Sequence, residues 1–328
     1  AQGAVRTDPI LPARDAARLR ELLDEQDRPA LRMGEVVRRR DRAFCYLQIL
    51  TFHTEQVAPR GEARRPFDAV VEEFVRGCDE KELDVVLDLR ENGGGYLAHS
   101  NAIVEALARP GEASRGGALL LRANTLNQLV YQQRIPTLGA AGARAVDDAL
   151  EPRGVLQAIG AARRARNAFT AAFLDPVLRP SDAVGGFEGK VVALVSPACS
   201  SACERLAGML QANGRATLVG GPTEGAGGSQ QEARNLSARW TDPEGLLSLS
   251  IPNAAMGVQR AAPEARREIA AEQFFETLAF ENRPVLPDRA YAPTLQDLTG
   301  SNAGWLREVE AALFGAPPSA SRAEVRRP

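Results

Sequence analysis

Residues Gly189 to Asn213, GKVVALVSPACSSACERLAGMLQAN, limit the possible folds more than any other stretch. Val191 to Val195 is an unbroken apolar run, and a short run without alternation reads as a strand buried on both faces. Small and polar residues follow from Ser196 to Ser201, which predicts a tight turn. Beyond it Leu206, Met209 and Leu210 share one helical face, and Asn213-Gly214 supplies a stop. A serine in the first turn of a helix, at the end of a buried strand, sits where N–H groups point outward. An anion formed there meets the positive end of the helix dipole. Ser200 or Ser201 would serve equally well as a plain N-cap.

A second stretch, Leu83 to Tyr96, reads LDVVLDLRENGGGY: another buried strand, closed by Asp-Leu-Arg and then three glycines. Glycines allow a sharp turn and a close approach of backbone to a ligand. Two buried strands ending in such loops predict one site, with an N–H donor loop facing a nucleophile.

The blocks DLRENGGG, SPACSSACERLAGMLQANGRATLVGG and FENRPVLPD together resemble peptidase family S41, the tail-specific or C-terminal-processing serine peptidases. The family patterns are DLRxNxGG, SASASE with its helix, GRAxxVG and ExxGVxPD, with Pro284 at the last pattern's glycine. The resemblance runs from about Phe44 to Leu298 and is poor between Gly111 and Gly186. It implies an α/β fold: a ClpP/crotonase-like core of ββα units with a helical insertion. The expected segments are an N-terminal helical segment (1–43), the first part of the core (44–110), a helical insertion or lid (111–186), the second part of the core (187–314) and a flexible C-terminal tail (315–328). Within the first, Asp8 to Pro29 reads as an amphipathic helix on Leu19, Leu22 and Leu23. About 40 residues precede the strand Phe44 to Phe52, too few for the PDZ module that many family members carry there.

The resemblance assigns roles residue by residue. Aligning Glu204 with the motif glutamate makes Ser201 the nucleophile. A bare serine needs a base within hydrogen-bond reach. The usual family base is a lysine in a GKG loop, but here the loop is VGGPTEGAGGSQ and Ala226 holds that position. The chain's only lysines, Lys81 and Lys190, lie far from it in sequence. Some branches of the family use Ser, His and Glu instead, with the histidine near the first core strand. His53, directly after FCYLQILTF, fits that place, and imidazole titrates near working pH. His99, inside an apparent helix, is the rival. Glu281 matches the glutamate of ExxGVxPD and would hold the imidazole in its tautomer. Ala202 with Gly94 or Gly95 would donate to the oxyanion. Gln230 matches a family glutamine and would support the base or substrate.

Composition narrows the alternatives. A net charge of −2 leaves no basic footprint for nucleic acid. No run of 18 apolar residues spans a membrane. Two histidines are too few for a metal site built on Cys199 and Cys203, and the family resemblance implies that neither metal nor organic cofactor is needed. The four cysteines Cys45, Cys78, Cys199 and Cys203 define no disulfide framework. Cys199 and Cys203, spaced i to i+4, read as small packing residues or a local disulfide. Gly220 to Gly227 lacks the GK[ST] of a phosphate loop.

The expected partners are protein or peptide substrates, with the oligomeric state open. The resemblance implies extracytoplasmic work, periplasmic or secreted. The chain starts without Met or a signal peptide and reads as mature or truncated. A catalytically inactive, peptide-binding relative is the alternative. Crotonase-type acyl-CoA enzymes share the architecture but do not need the CSSACE turn.

Overall fold

The computed structural model describes residues 9–39, 42–134, 152–231, 236, 239–259, 269–297 and 302–315. After a single helical turn, α1 (Ala13–Ala16), the chain forms an antiparallel ladder of β1 (Arg20–Leu23), β2 (Pro29–Arg39) and β3 (Arg42–Ile49). The helix expected over Asp8 to Pro29 is therefore wrong, and so is the helical reading of segment 1–43. Asp24, fully buried, accepts the amides of Gln26 and Arg28 through Oδ1. Those bonds close a turn in which Asp27 takes φ 58°, and Leu22 pairs with Leu31 instead of following helical period. A side-chain oxygen that caps backbone N–H groups offers the chain a turn in place of a helix.

The short pair β4 (Gln56–Val57) and β5 (Arg65–Pro66) leads into α2 (Phe67–Asp79), then β6 (Asp84–Asp88) and α3 (Leu97–Leu107). Next come β7 (Gly117–Leu121), α4 (Thr125–Arg134), α5 (Pro152–Arg164), β8 (Phe173–Leu174), β9 (Val191–Val195), α6 (Ala202–Ala212) and β10 (Ala216–Gly220). The remaining elements are β11 (Gly228–Ser229), the exposed hairpin β12 (Arg239–Thr241) and β13 (Ser248–Ser250), β14 (Ala254–Val258), α7 (Ala271–Thr277), β15 (Arg289–Ala290) and α8 (Ala303–Phe314).

Seven strands make the main sheet in the order β1-β2-β3-β6-β9-β10-β15, parallel from β3 onward. Successive side chains of its central strands enter opposite cores. Cys45, Leu47, Val85, Leu87, Val191 and Ala193 face the layer that holds α2, α3 and α6. Phe44, Tyr46, Val86, Val192 and Leu194 face Trp305, Val309 and Leu313 of α8. Covering both faces is what an unbroken apolar strand requires.

The second sheet, β11-β14-β7-β8, is antiparallel. Two of its strands come from segment 111–186. That segment carries α4 and α5, as the helical insertion predicts, but β7 and β8 also build it into the second sheet. Residues 135–151, and 316–328 of the expected tail, lie outside the described residues.

Both cysteine pairs are disulfides: Cys45–Cys78 ties β3 to α2, and Cys199–Cys203 spans the turn before α6. Sequence spacing could not show the first pair, because only the packing of α2 on β3 brings its Cα atoms to 6.1 Å.

Asp297 anchors α8. Its carboxylate accepts from the Tyr291 hydroxyl (2.5 Å), the Thr294 hydroxyl (2.7 Å) and the Gly304 amide (2.8 Å). Burial pushes its pKa up, but these hydrogen bonds outweigh it and lower the pKa from 3.8 to about 2. A depressed folded-state value stabilises the fold above pH 3.8, and the contribution fades as pH falls toward about 2. Its size is about 2 kcal/mol. Acid should therefore loosen the α8 packing, read from the fluorescence of buried Trp305. Asp297→Asn should flatten that pH dependence and lower stability at neutral pH.

Candidate active site

Ser201 stands at the N-terminus of α6, directly after the turn that leaves β9. Its backbone is at φ 57°, ψ −119°, a conformation that L residues avoid and that costs about 1–3 kcal/mol. Three devices hold it there. Glu204, fully buried, accepts the Ser201 amide at 3.2 Å through Oε2. The Cys199–Cys203 disulfide crosses the turn. Ser200 donates its amide to the Asn92 carbonyl at 3.1 Å, which ties the turn to the glycine loop.

That loop follows β6. Gly94 takes φ 92° and Gly95 φ 137°. A Cβ on Gly94 would lie 2.8 Å from Ser201 Cβ and 3.0 Å from Ala202 N, so only glycine fits against the serine. A Cβ on Gly95 would lie 2.6 Å from His53 N and 2.3 Å from the Phe52 carbonyl carbon. One dipeptide thus touches Ser201 with its first residue and the His53 backbone with its second. Phe52 donates to Gly94 O (2.9 Å) and accepts from Tyr96 N (3.0 Å), which pairs the two loops. Gly95→Ala should cost about 1–3 kcal/mol in denaturant unfolding, whereas Gly93→Ala, which meets open space, should stay near wild type.

His53 itself is exposed, and its ring lies 6.3 Å, edge-on, from that of Tyr96. His99 is on α3, as the sequence predicts, but buried. Its Nδ1 lies 2.5 Å from Asp68 Oδ1 and its Nε2 2.8 Å from Thr54 O. Both ring nitrogens are thus engaged, and the Phe67 ring packs against the imidazole with centroids 4.3 Å apart.

The loop from Thr223 to Ala226 closes another side. The Glu204 carboxylate accepts the Thr223 hydroxyl (2.6 Å), the Gly225 amide (2.7 Å) and the Ala226 amide (2.8 Å). Ala226 and Ser201 therefore share one carboxylate oxygen, and the position expected to carry an amine carries a methyl group. Glu281 is exposed and lies against Gly227 and Gly228, just after this loop, with Oε2 3.8 Å from where a Gly228 Cβ would be. Gln230 is half-buried just after β11. Its neighbour Gln231 makes the buried bonds, accepting from the Tyr131 hydroxyl at 2.9 Å. Among the described residues no hydrogen bond joins the side chains of Ser201, His53 and Glu281.

Two residues missed as functional stand out. Asn92, fully buried, accepts the Gly94 amide at 2.8 Å and donates to Ile49 O at 3.3 Å. It uses up the Gly94 N–H, so of the two glycines only Gly95 keeps a free amide. Glu204, three residues after Ser201, carried a capping signal in the sequence. Its grip on the Thr223–Ala226 loop is a long-range contact with no local signature.

The model for peptidase family S41 matches residues 43–251. No curated protein matches the chain in sequence. Among solved structures, mature CPAF superposes with a TM-score of 0.62 at 14% identity, over 93% of this chain and 57% of that one, and the same figures hold for its complex with lactacystin. A putative peptidase from Parabacteroides merdae gives 0.50 at 16% identity, over 89% of this chain and 67% of that one. At such identities the likeness is one of fold, and the chain spans little more than half the length of CPAF. The family match covers well over half of the residues, and the elements it includes carry the serine turn, the glycine loop and both histidines: the chain belongs to peptidase family S41.

Proposed function

We propose that this chain is a serine peptidase of protein or peptide substrates in which His53, not a lysine, serves as the base. The observation that carries the reading is the Gly94–Gly95 pair, packed against Ser201 on one side and the His53 backbone on the other. Ser201 Oγ attacks the scissile carbonyl as His53 takes its proton. The carbonyl oxygen becomes an oxyanion, received by the Ala202 and Gly95 amides at the positive end of α6. His53 then protonates the departing amine, the C–N bond breaks and an acyl-serine remains. Water, deprotonated by His53, releases the acid. Glu281 orients the imidazole once substrate draws the loops together, since catalytic hydrogen bonds are often long in a free site. Gln230 lies close enough in sequence to support the substrate side of the same loop. No metal enters this scheme.

The family resemblance favours processing near a free C-terminus. A peptide ending in carboxylate should be cut faster than its amide. The two disulfides favour an oxidising compartment, periplasmic or secreted.

The test is labelling by a fluorophosphonate probe. Wild type should label, Ser201→Ala should not, and His53→Ala should label about 10²–10⁴-fold more slowly. A second reading rests on the missing side-chain hydrogen bonds: an inactive relative that binds peptides. It predicts no labelling of the wild type together with peptide binding that Ser201→Ala leaves intact.

A further inference from the structure

We infer that His99 and Glu25 are positioning residues that clamp the loop carrying His53 from its two sides. The inference deepens the proposed peptidase reading and rests on His53 being the base.

The loop between Ile49 and Gln56 has little regular structure of its own. Ahead of His53, Phe52 is paired with Gly94 and Tyr96 by two backbone bonds. Behind it, Thr54 is buried to 1% exposure although the next residue is at the surface. Two side chains from distant elements hold this second half. Glu25, in the β1–β2 turn, accepts the Thr54 hydroxyl at 2.6 Å, the Glu55 amide at 2.9 Å and the Gln56 amide at 2.8 Å. From below, His99 Nε2 lies 2.8 Å from Thr54 O, and its Nδ1 is oriented by Asp68 at 2.5 Å. Phe67 and Phe52 flank the same ring.

With residues 52 and 54 both fixed, His53 keeps only its side-chain torsions. That is how an exposed imidazole can be aimed without packing around it. Burial pushes the Glu25 carboxyl up, but the bonds from Thr54, Gln56 and Glu55 hold it below the ordinary range, so it is ionised in its accepting role. His99, the rival base by sequence, thus acts through the loop. The Asp68–His99–Thr54 arrangement resembles an oriented imidazole whose outer nitrogen meets a carbonyl instead of a nucleophile.

The chain has two histidines, so histidine-labelled protein gives two sets of ring signals, one from His53. Those signals, the exchange rates of the Glu55 and Gln56 amides, and peptide kinetics are measured for Glu25→Ala, His99→Phe and His99→Gln. Glu25→Ala and His99→Phe should shift the His53 ring signals and speed amide exchange. Each should lower kcat about 10²-fold with KM little changed, the effect of a misplaced group. Glutamine keeps a donor for Thr54 O, so His99→Gln should restore most of kcat and the His53 signals. Folded Glu25→Ala and His99→Phe proteins with unchanged His53 signals, exchange and kcat would overturn the clamp. Should buried His99→Phe fail to fold, the exposed Glu25→Ala decides alone. If wild type cleaves nothing, the peptidase reading fails, and the ring signals and amide exchange still decide the clamp.

Discussion

Ser201→Gly should unfold at a higher temperature than the wild type and hydrolyse no peptide. At φ 57° the Ser201 backbone is strained, and glycine adopts such angles without a Cβ penalty. Against glycine's greater loss of freedom on folding, the expected net gain is about 1 kcal/mol, a rise of a few degrees. Ser201→Ala is the control. It removes the same hydroxyl but keeps the Cβ and the strain, so it should lose activity with no gain in stability. Hydrolysis should fall about 10⁴-fold or more in both. Equal melting temperatures for the glycine and alanine variants would show that the turn is not strained as described.

The second large effect belongs to Glu204. Replacing it by alanine orphans the Ser201, Gly225 and Ala226 amides and the Thr223 hydroxyl, around a carboxylate with no exposed surface. A buried donor without a partner costs about 1–3 kcal/mol, so the total loss should reach about 4 kcal/mol or more. Glutamine rescues only half of the arrangement. Oε1 accepts Thr223 and Gly225, and Oε2 accepts Ser201 and Ala226, so an NH₂ group on either side would face two donors. Denaturant unfolding of the two variants should rank alanine and glutamine both well below wild type, with fluorophosphonate labelling of Ser201 lost as the turn relaxes. A loss under about 1 kcal/mol in either would mean that water replaces the carboxylate and that the turn is held elsewhere.

Much of this site was legible because its parts are local. Val191–Val195 is apolar throughout because both faces of the sheet are covered, and the switch to helical period at Leu206 marks α6. The glycine loop announced itself through residues whose conformations exclude side chains. The same local logic failed at Asp8–Pro29. There a leucine pattern suited to a helix was overruled by the Asp24 turn and by pairing across to β2. It failed again at β8 in segment 111–186, a two-residue strand that exists only by pairing with β7.

The sequence by itself determined the serine turn at Ser201, the glycine loop after Asp88, and the absence of a lysine at Ala226, since each is written in contiguous residues. Only the tertiary structure separates the surroundings of the two histidines. Both are compatible with their local sequence, but long-range packing buries His99 against Phe67 and gives both its nitrogens acceptors, while it leaves His53 exposed beside the glycine pair. The partners of Glu204, Asn92 and Glu25 belong to the same class. The bonds of Glu204 to Thr223, Glu25 to Thr54 and Asn92 to Ile49 join residues 19 to 43 apart, and no local pattern encodes which distant group such a side chain will meet.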